Sequence, residues 1–231
     1  MFRTLAAFIL ACLLPFGTTA LGQSTGPAAQ TVSPPANYGD ALRWYRKAAE
    51  AGSSKAQYLL GHMLETGRGQ PRDLAASARW YRKSAAQGHA LAQFRLGWMY
   101  QNGLGLEQDH AGAVTWYTRS AAQGMSEAAL NLGYLYERGV GVPHDPVRAQ
   151  QYYLQAAEKG LGAAQFNLGL LLSAKKGDRW ARTESLYWLS LAADQGIADA
   201  AAARDAARST LSSQEISNVE RRLSERATLK K

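Results

Sequence analysis

The chain has 231 residues, 46% apolar and 19% charged, which suits one globular unit or one short repeat array and argues against disorder. A single cysteine, Cys12, excludes an intramolecular disulfide, and four scattered histidines form no zinc-finger-like cluster. With 26 basic and 18 acidic residues the net charge is +8, which favours an anionic partner or surface without choosing one.

Residues 1–20 read as a secretory signal: Arg3 gives a basic start, Leu5 to Phe16 an apolar core broken by Pro15, and Gly17 to Ala20 a run of small residues. The core is too short to span a membrane. Cleavage is expected after Ala20, with Gly22 as the alternative. Export would leave 25 basic and 18 acidic residues, a charge of +7, and no cysteine, as suits a periplasmic or secreted protein. Reading Cys12 as the acceptor of a bacterial lipoprotein is disfavoured, because only seven apolar residues precede that cut and Leu13 to Phe16 follow it. Residues 21–36, with Gly26, Pro34 and Pro35, read as a flexible lead-in.

From residue 37 to 211 the chain repeats every 36 residues, about four and a half times. Gly52, Gly88, Gly124, Gly160 and Gly196 keep the step, as do Gly61, Gly97, Gly133 and Gly169. Tyr45, Tyr81, Tyr117 and Tyr153 share it, preceded by Trp44, Trp80, Trp116 and Tyr152, and Trp188 extends that second column. Each unit reads as two helices. Asp73 can cap a helix over Leu74–Gln87, with Asn37, Asp109 and Asp145 in the same column and Pro146 at a first helical position. A second helix is expected over Ala90–Asn102, stopped by Gly103. The Gly-x-Gly pairs at Gly67, Gly103 and Gly139 follow helices rather than strands, so they read as turns and not as phosphate loops.

The mid-helix glycines each cost about 1 kcal/mol against alanine, so they call for a close helix approach, with Trp44-type aromatics and Ala49-type small residues on the facing helix. No unit buries such a face alone; stacked neighbours do. In the fifth unit Arg204 replaces the repeating leucine, and the array ends. Residues 212–231 then form a closing amphipathic helix and basic tail: Ser212 caps it, and Ile216, Val219 and Leu223 make the stripe that covers the last open face.

The run Ala78–Gly88 (Ala-Arg-Trp-Tyr-Arg-Lys-Ser-Ala-Ala-Gln-Gly), then Ala92–Tyr100 (Ala-Gln-Phe-Arg-Leu-Gly-Trp-Met-Tyr), Gly103, Gly105 and Asp109, resembles the Sel1-like repeat (SLR) family, a cousin of the tetratricopeptide repeats. The resemblance covers about Asn37 to Arg204. It implies an all-α fold, a right-handed α-solenoid superhelix of helix-turn-helix repeats with a C-terminal capping helix. It also implies an interaction scaffold for another protein or peptide, such as a membrane-protein sensor domain, in bacterial envelope signalling, regulation or host interaction. No catalysis, cofactor or metal is implied. A branch of the family with paired cysteines in each repeat is not matched.

By similarity to tetratricopeptide repeats, the second helix of each unit lines a concave groove. There His62, Trp98, Tyr134 and Leu170 form one column, with Tyr58 and Phe94 one turn earlier on the same face. Aromatic anchors of this kind can hold a peptide. Tyr58 and Phe94 read better as core, whereas Trp98 and Tyr134 fit groove and core alike. Glu65, Gln101 and Glu137 would add contacts at the rim. Arg43, Arg46, Lys47, Arg79, Arg82, Lys83 and Arg119 form a basic ridge on the first helices, which reads either as a docking site for an anionic surface or as a solvated outer face. Nucleic acid is not expected. The competing reading, a cell-wall-associated or β-lactam-processing protein, rests on Ser173-x-x-Lys176, which lacks the Ser-Asp-Asn and Lys-Thr-Gly that accompany it in such enzymes.

Overall fold

The computed structural model describes residues 38–175 and 177–229, all within one compact unit. The expected signal segment, the lead-in, Asn37 and Lys176 lie outside the described residues. Among the described residues eleven helices follow in order: α1 (Tyr38–Glu50), α2 (Ser54–Thr66), α3 (Leu74–Ala86), α4 (Ala90–Asn102), α5 (His110–Ala122), α6 (Ser126–Arg138), α7 (Pro146–Glu158), α8 (Gly162–Ser173), α9 (Arg179–Asp194), α10 (Ala200–Arg208) and α11 (Ser213–Leu229). Among the described residues there is no strand, and no helix is long and apolar enough to cross a membrane.

The helix boundaries follow from local chemistry. Asp73 Oδ1 accepts from the Ala76 amide at 2.8 Å and Asp109 Oδ1 from Gly112 at 2.9 Å, while Asp145 caps α7 with Pro146 behind it. Gly67, Gly103 and Gly139 end α2, α4 and α6 at φ 71°, 65° and 68°, where a side chain would be strained. The second glycine of the pair has a separate task. A Cβ on Gly105 would overlap the Leu74 carbonyl at the start of α3, so the turn after α4 lies tight against the start of that helix.

The interior glycines face a different column from the one expected. A Cβ on Gly61 would stand 2.8 Å from Tyr81 Cδ1, and one on Gly97 2.8 Å from Tyr117 Cδ1; Tyr153 meets Gly133 and Leu189 meets Gly169 in the same way. The tyrosines, not the neighbouring tryptophans, fill the contact: Tyr81, Tyr117 and Tyr153 are fully buried, and Trp44 is 37% exposed. One residue along a helix is a turn of about 100°, enough to swing the tryptophan column out of the joint. Large ring against missing side chain recovers by packing what each glycine forfeits in propensity.

A second set of joints is polar. Gln57, Gln93 and Gln165 each donate from Nε2 to a carbonyl eight residues earlier, at Ala49, Ala85 and Ala157, all at 3.1 Å. Their Oε1 atoms accept from Gln87, Gln123 and Gln195, each at 2.7 Å. Where alanine stands in the column, at Ala129, the pair is lost on both sides: Lys159 donates to the Gly124 carbonyl at 2.6 Å, and Gln155 takes up the Ala121 carbonyl at 2.7 Å. Ser84 and Ser120 bond the Ser54 and Ala90 carbonyls 30 residues back at 2.7 and 2.8 Å. These glutamine and serine side chains are thus paired across the joints they occupy.

The array closes as the sequence indicates. α10 has nine residues, and Arg204, in the leucine column, pairs with Asp205 at 2.8 Å. α11 packs on α9: Val219 is 1% exposed, and Ile216 and Leu223 lean on the same core. Ser212 and Glu215 form a capping box, the Ser212 amide and hydroxyl donating to Glu215 Oε2 at 2.8 and 2.7 Å. Arg179 Nε of α9 reaches Glu215 Oε1 at 2.6 Å, and Arg222 reaches Glu184 Oε1 at 2.5 Å, so two ion pairs join α11 to α9.

Candidate partner-binding surfaces

The column that follows each mid-helix glycine sits one step round the helix from the joint, so it keeps surface. His62, Trp98 and Tyr134 are half-buried and Leu170 is 41% exposed. Trp98 and Tyr134 rest on the edges of the core and are neither wholly internal nor free. The Arg95 guanidinium lies 6.0 Å from the Trp98 ring and 3.5 Å from Glu65 Oε1, which fixes its position between the two. The residues one turn earlier are occupied internally. Tyr58 is 8% exposed, with its ring 4.9 Å from His89, 6.3 Å from His62 and 5.7 Å from Tyr81. Phe94 is half-buried, 5.8 Å from Tyr117. Burial lowers the pKa of His62, with Arg95 adding to it, and burial beside Lys55 lowers that of His89, so both imidazoles are neutral at pH 7.

Glu65, Gln101 and Glu137, expected at the rim, have an internal task. Their side-chain oxygens accept from the hydroxyls of Tyr81, Tyr117 and Tyr153 at 2.6, 2.8 and 2.6 Å, pinning the rings that fill the glycine joints. Burial, reinforced by the neighbouring Glu65 and Glu137 carboxylates, pushes the Tyr81 and Tyr153 hydroxyls far up, so they act as donors throughout the accessible pH range.

The seven ridge residues are all exposed, and several are laid against a partner. Arg43 pairs with Asp40, and Arg46 Nη2 donates to Gln70 Oε1 at 3.3 Å. Arg82 Nη2 donates to the Tyr100 hydroxyl at 2.9 Å, Lys83 lies 4.4 Å over Trp80, and Arg119 lies 4.7 Å over Trp116. The charges of Arg82, Lys83 and Arg119 are held against aromatic rings instead of waving in solvent. Ser173 ends α8 with its hydroxyl donating to the Leu170 carbonyl at 2.7 Å. Among the described residues no group of acidic, histidine or cysteine side chains could hold a metal.

Reading by columns passed over one open cleft. Arg46, Leu60, Leu64, Gln70, Arg72 and Trp80 line it, between α1, α2 and the start of α3. The signal was a break in a column: Leu64 stands where Tyr100 and Tyr136 follow, and Gln70 where Leu106 and Val142 follow.

The sequence profile of the Sel1 repeat matches residues 21–53, 54–89, 90–125, 126–161 and 162–197. From the second match on, each unit opens at α2, α4, α6 or α8 and includes the helix after it, so the glycine–tyrosine joint lies inside a unit. No curated protein matches the chain. The fold is similar to the SLR fold of a protective antigen present in uropathogenic Escherichia coli strains, at 37% identity and TM-score 0.70 over 77% of this chain and 38% of that one. It is also similar to a Sel1 repeat protein from Oxalobacter formigenes, at 39% identity and TM-score 0.63 over 69% of this chain and 64% of that one. The chain spans less than two thirds of the length of either.

Proposed function

Since the chain belongs to the Sel1 repeat family, whose repeats mediate protein–protein interaction and are generally not enzymes, we propose that it is an exported adaptor. It presents its second helices to another protein or peptide in the bacterial envelope, for signalling, regulation or host interaction, with a membrane-protein sensor domain as one such partner. The observation that carries this is the column His62, Trp98, Tyr134 and Leu170, which stays partly open while the columns beside it are used up by packing. Tryptophan and tyrosine at the centre of an interface are the residues whose loss costs most, about 2 kcal/mol or more each. The basic ridge speeds encounter and adds salt-sensitive affinity. Export rests on the reading of residues 1–20, and sequencing the N-terminus of the secreted protein tests it, with Leu21 expected first.

Crosslinking of the full-length gene product in its native envelope, followed by mass spectrometry, tests the adaptor reading. One partner should be captured, and a Trp98→Ala, Tyr134→Ala variant with unchanged circular dichroism should lose it. Capture undiminished in that variant would refute the groove. Recovery of wall fragments or anionic lipid alone would leave the ridge as the working surface.

A further inference from the structure

The repeat supplies its own template for the open cleft. In the two units that follow, tyrosine occupies the Leu64 column and fills the corresponding space. Tyr136 stacks on Tyr152 of the next helix, ring centroids 5.6 Å apart and planes 17° from parallel. Its hydroxyl accepts from Arg148 Nη1 at 3.3 Å. Tyr100 leans on α5, where Gly112 stands in the column of Ala76; a Cβ on Gly112 would be 3.5 Å from its ring. Arg82 caps it, Nη2 on the hydroxyl at 2.9 Å and the guanidinium 5.9 Å from the ring centre. In the first unit the surroundings of such a ring persist without the ring. Trp80 is the counterpart of Tyr152, and Arg46 stands 18 residues before Leu64 as Arg82 stands 18 before Tyr100.

Two further observations bear on what the cleft takes. Gln70 Nε2 is shut off from solvent with no hydrogen-bond partner, although its Oε1 is engaged by Arg46. An unpaired buried donor is costly and points to a missing acceptor. The fourth unit also has leucine in the column, Leu172, yet there α9 begins three residues early, at Arg179 where Arg182 would continue the step, and Leu172 is 1% exposed. So leucine alone does not leave a cleft; the first unit combines leucine with a polar Gln70 and no covering turn.

We propose that this cleft is a receptor for an exposed tyrosine side chain on a partner polypeptide. The incoming ring takes the place of the absent tyrosine, stacked on Trp80 over Leu64, with Arg46 on its face, and Gln70 turns so that its Nε2 donates to the phenol oxygen. Arg46 and Arg72 favour acidic residues beside it. The chain's own residues 21–37 contain no aromatic side chain and cannot supply the ring. The site shares no residue with the groove column, so the two readings stand or fall separately.

The test uses the full-length protein and two capped acidic pentapeptides that differ only in a central tyrosine or leucine, with binding followed by calorimetry. The tyrosine peptide should bind at least tenfold tighter than the leucine one. Leu64→Tyr and Gln70→Leu, which install the residues of the next units, should each weaken it at least tenfold with circular dichroism unchanged, and Arg46→Ala should weaken it without filling the cleft. Trp98→Ala with Tyr134→Ala should leave it unaltered. Equal binding of the two peptides, no binding of either, or full affinity in both filling variants would overturn the proposal.

Discussion

Replacing Gly97 by alanine sets two well-separated expectations against each other. Helix propensity alone makes the change stabilising by about 1 kcal/mol, because Gly97 lies in the middle of α4. Packing gives the opposite sign. The new Cβ would stand 2.8 Å from Cδ1 and 2.9 Å from Cε1 of Tyr117, while ordinary contact begins at 3.4 Å, so ring and helix must part by about 0.6 Å. The ring has nowhere to go. It is fully buried, Phe94 lies 5.8 Å away, and its hydroxyl is tied to Gln101 at 2.8 Å. Overpacking of this kind costs about 1–3 kcal/mol. Taking about 2 for a pinned ring and subtracting the propensity gain leaves a net loss of about 1 kcal/mol. Urea unfolding followed by circular dichroism reads the sign directly, as a lower midpoint at unchanged slope. A Gly97→Ala protein as stable as the parent, or more so, would refute the joint.

Tyr81→Phe should cost about 1–3 kcal/mol, because it strips a donor from the buried Glu65, whereas Tyr117→Phe, facing neutral Gln101, should cost about 1; urea midpoints compare them. The Ser212 amide and hydroxyl, and then Arg179, hold the Glu215 carboxyl down to about 2 from 4.5. A lowered folded pKa contributes stability that is complete above about 4.5 and lost as pH falls toward 2, so α11 should loosen in that window. Amide exchange of α11 should show this, and Glu215→Gln should flatten the pH dependence; a pH profile unchanged by that variant would count against it. Gln93→Leu takes one of two partners from the Ala85 carbonyl, which keeps the Gly88 amide, and one of two acceptors from Gln123, which keeps the Gly88 carbonyl, so the urea midpoint should report a loss of about 0.5–1.5 kcal/mol.

Period, helix pairs, caps and closing helix were all legible in the sequence, because each depends on a residue whose chemistry acts within a few positions: Asp73 and Asp109 on the next amides, Gly103 on its own φ, and Ile216, Val219 and Leu223 on one helical face. What escaped depends on direction in space. Adjacent columns such as Trp80 and Tyr81 look alike as letters, and only the helix rotation decides which fills the joint. Glu65 and Gln101 read as rim residues because their tyrosine partners stand 16 positions away. The glutamine ladder was invisible for the same reason, its rungs reaching 30 residues along the chain. For the candidate surfaces, the sequence marks which columns vary, as at His62, Trp98 and Tyr134, but the cleft arises from what is missing at Leu64, and an absence shows only against neighbouring repeats.

The reach of those rungs has an evolutionary consequence. Every bond from Gln87 to Gln57, Gln123 to Gln93 or Gln195 to Gln165 closes within one matched segment, from its opening helix to the end of the next. A duplication or excision of one whole matched segment therefore carries its glutamine pair along intact, while an indel between the two glutamines that is not a whole segment strands a donor and an acceptor in the interior. Selection on such a chain works in quanta. Length becomes a freely heritable trait, register a fixed one, and new lineages can lengthen or shorten their reach toward a partner without inventing any new contact.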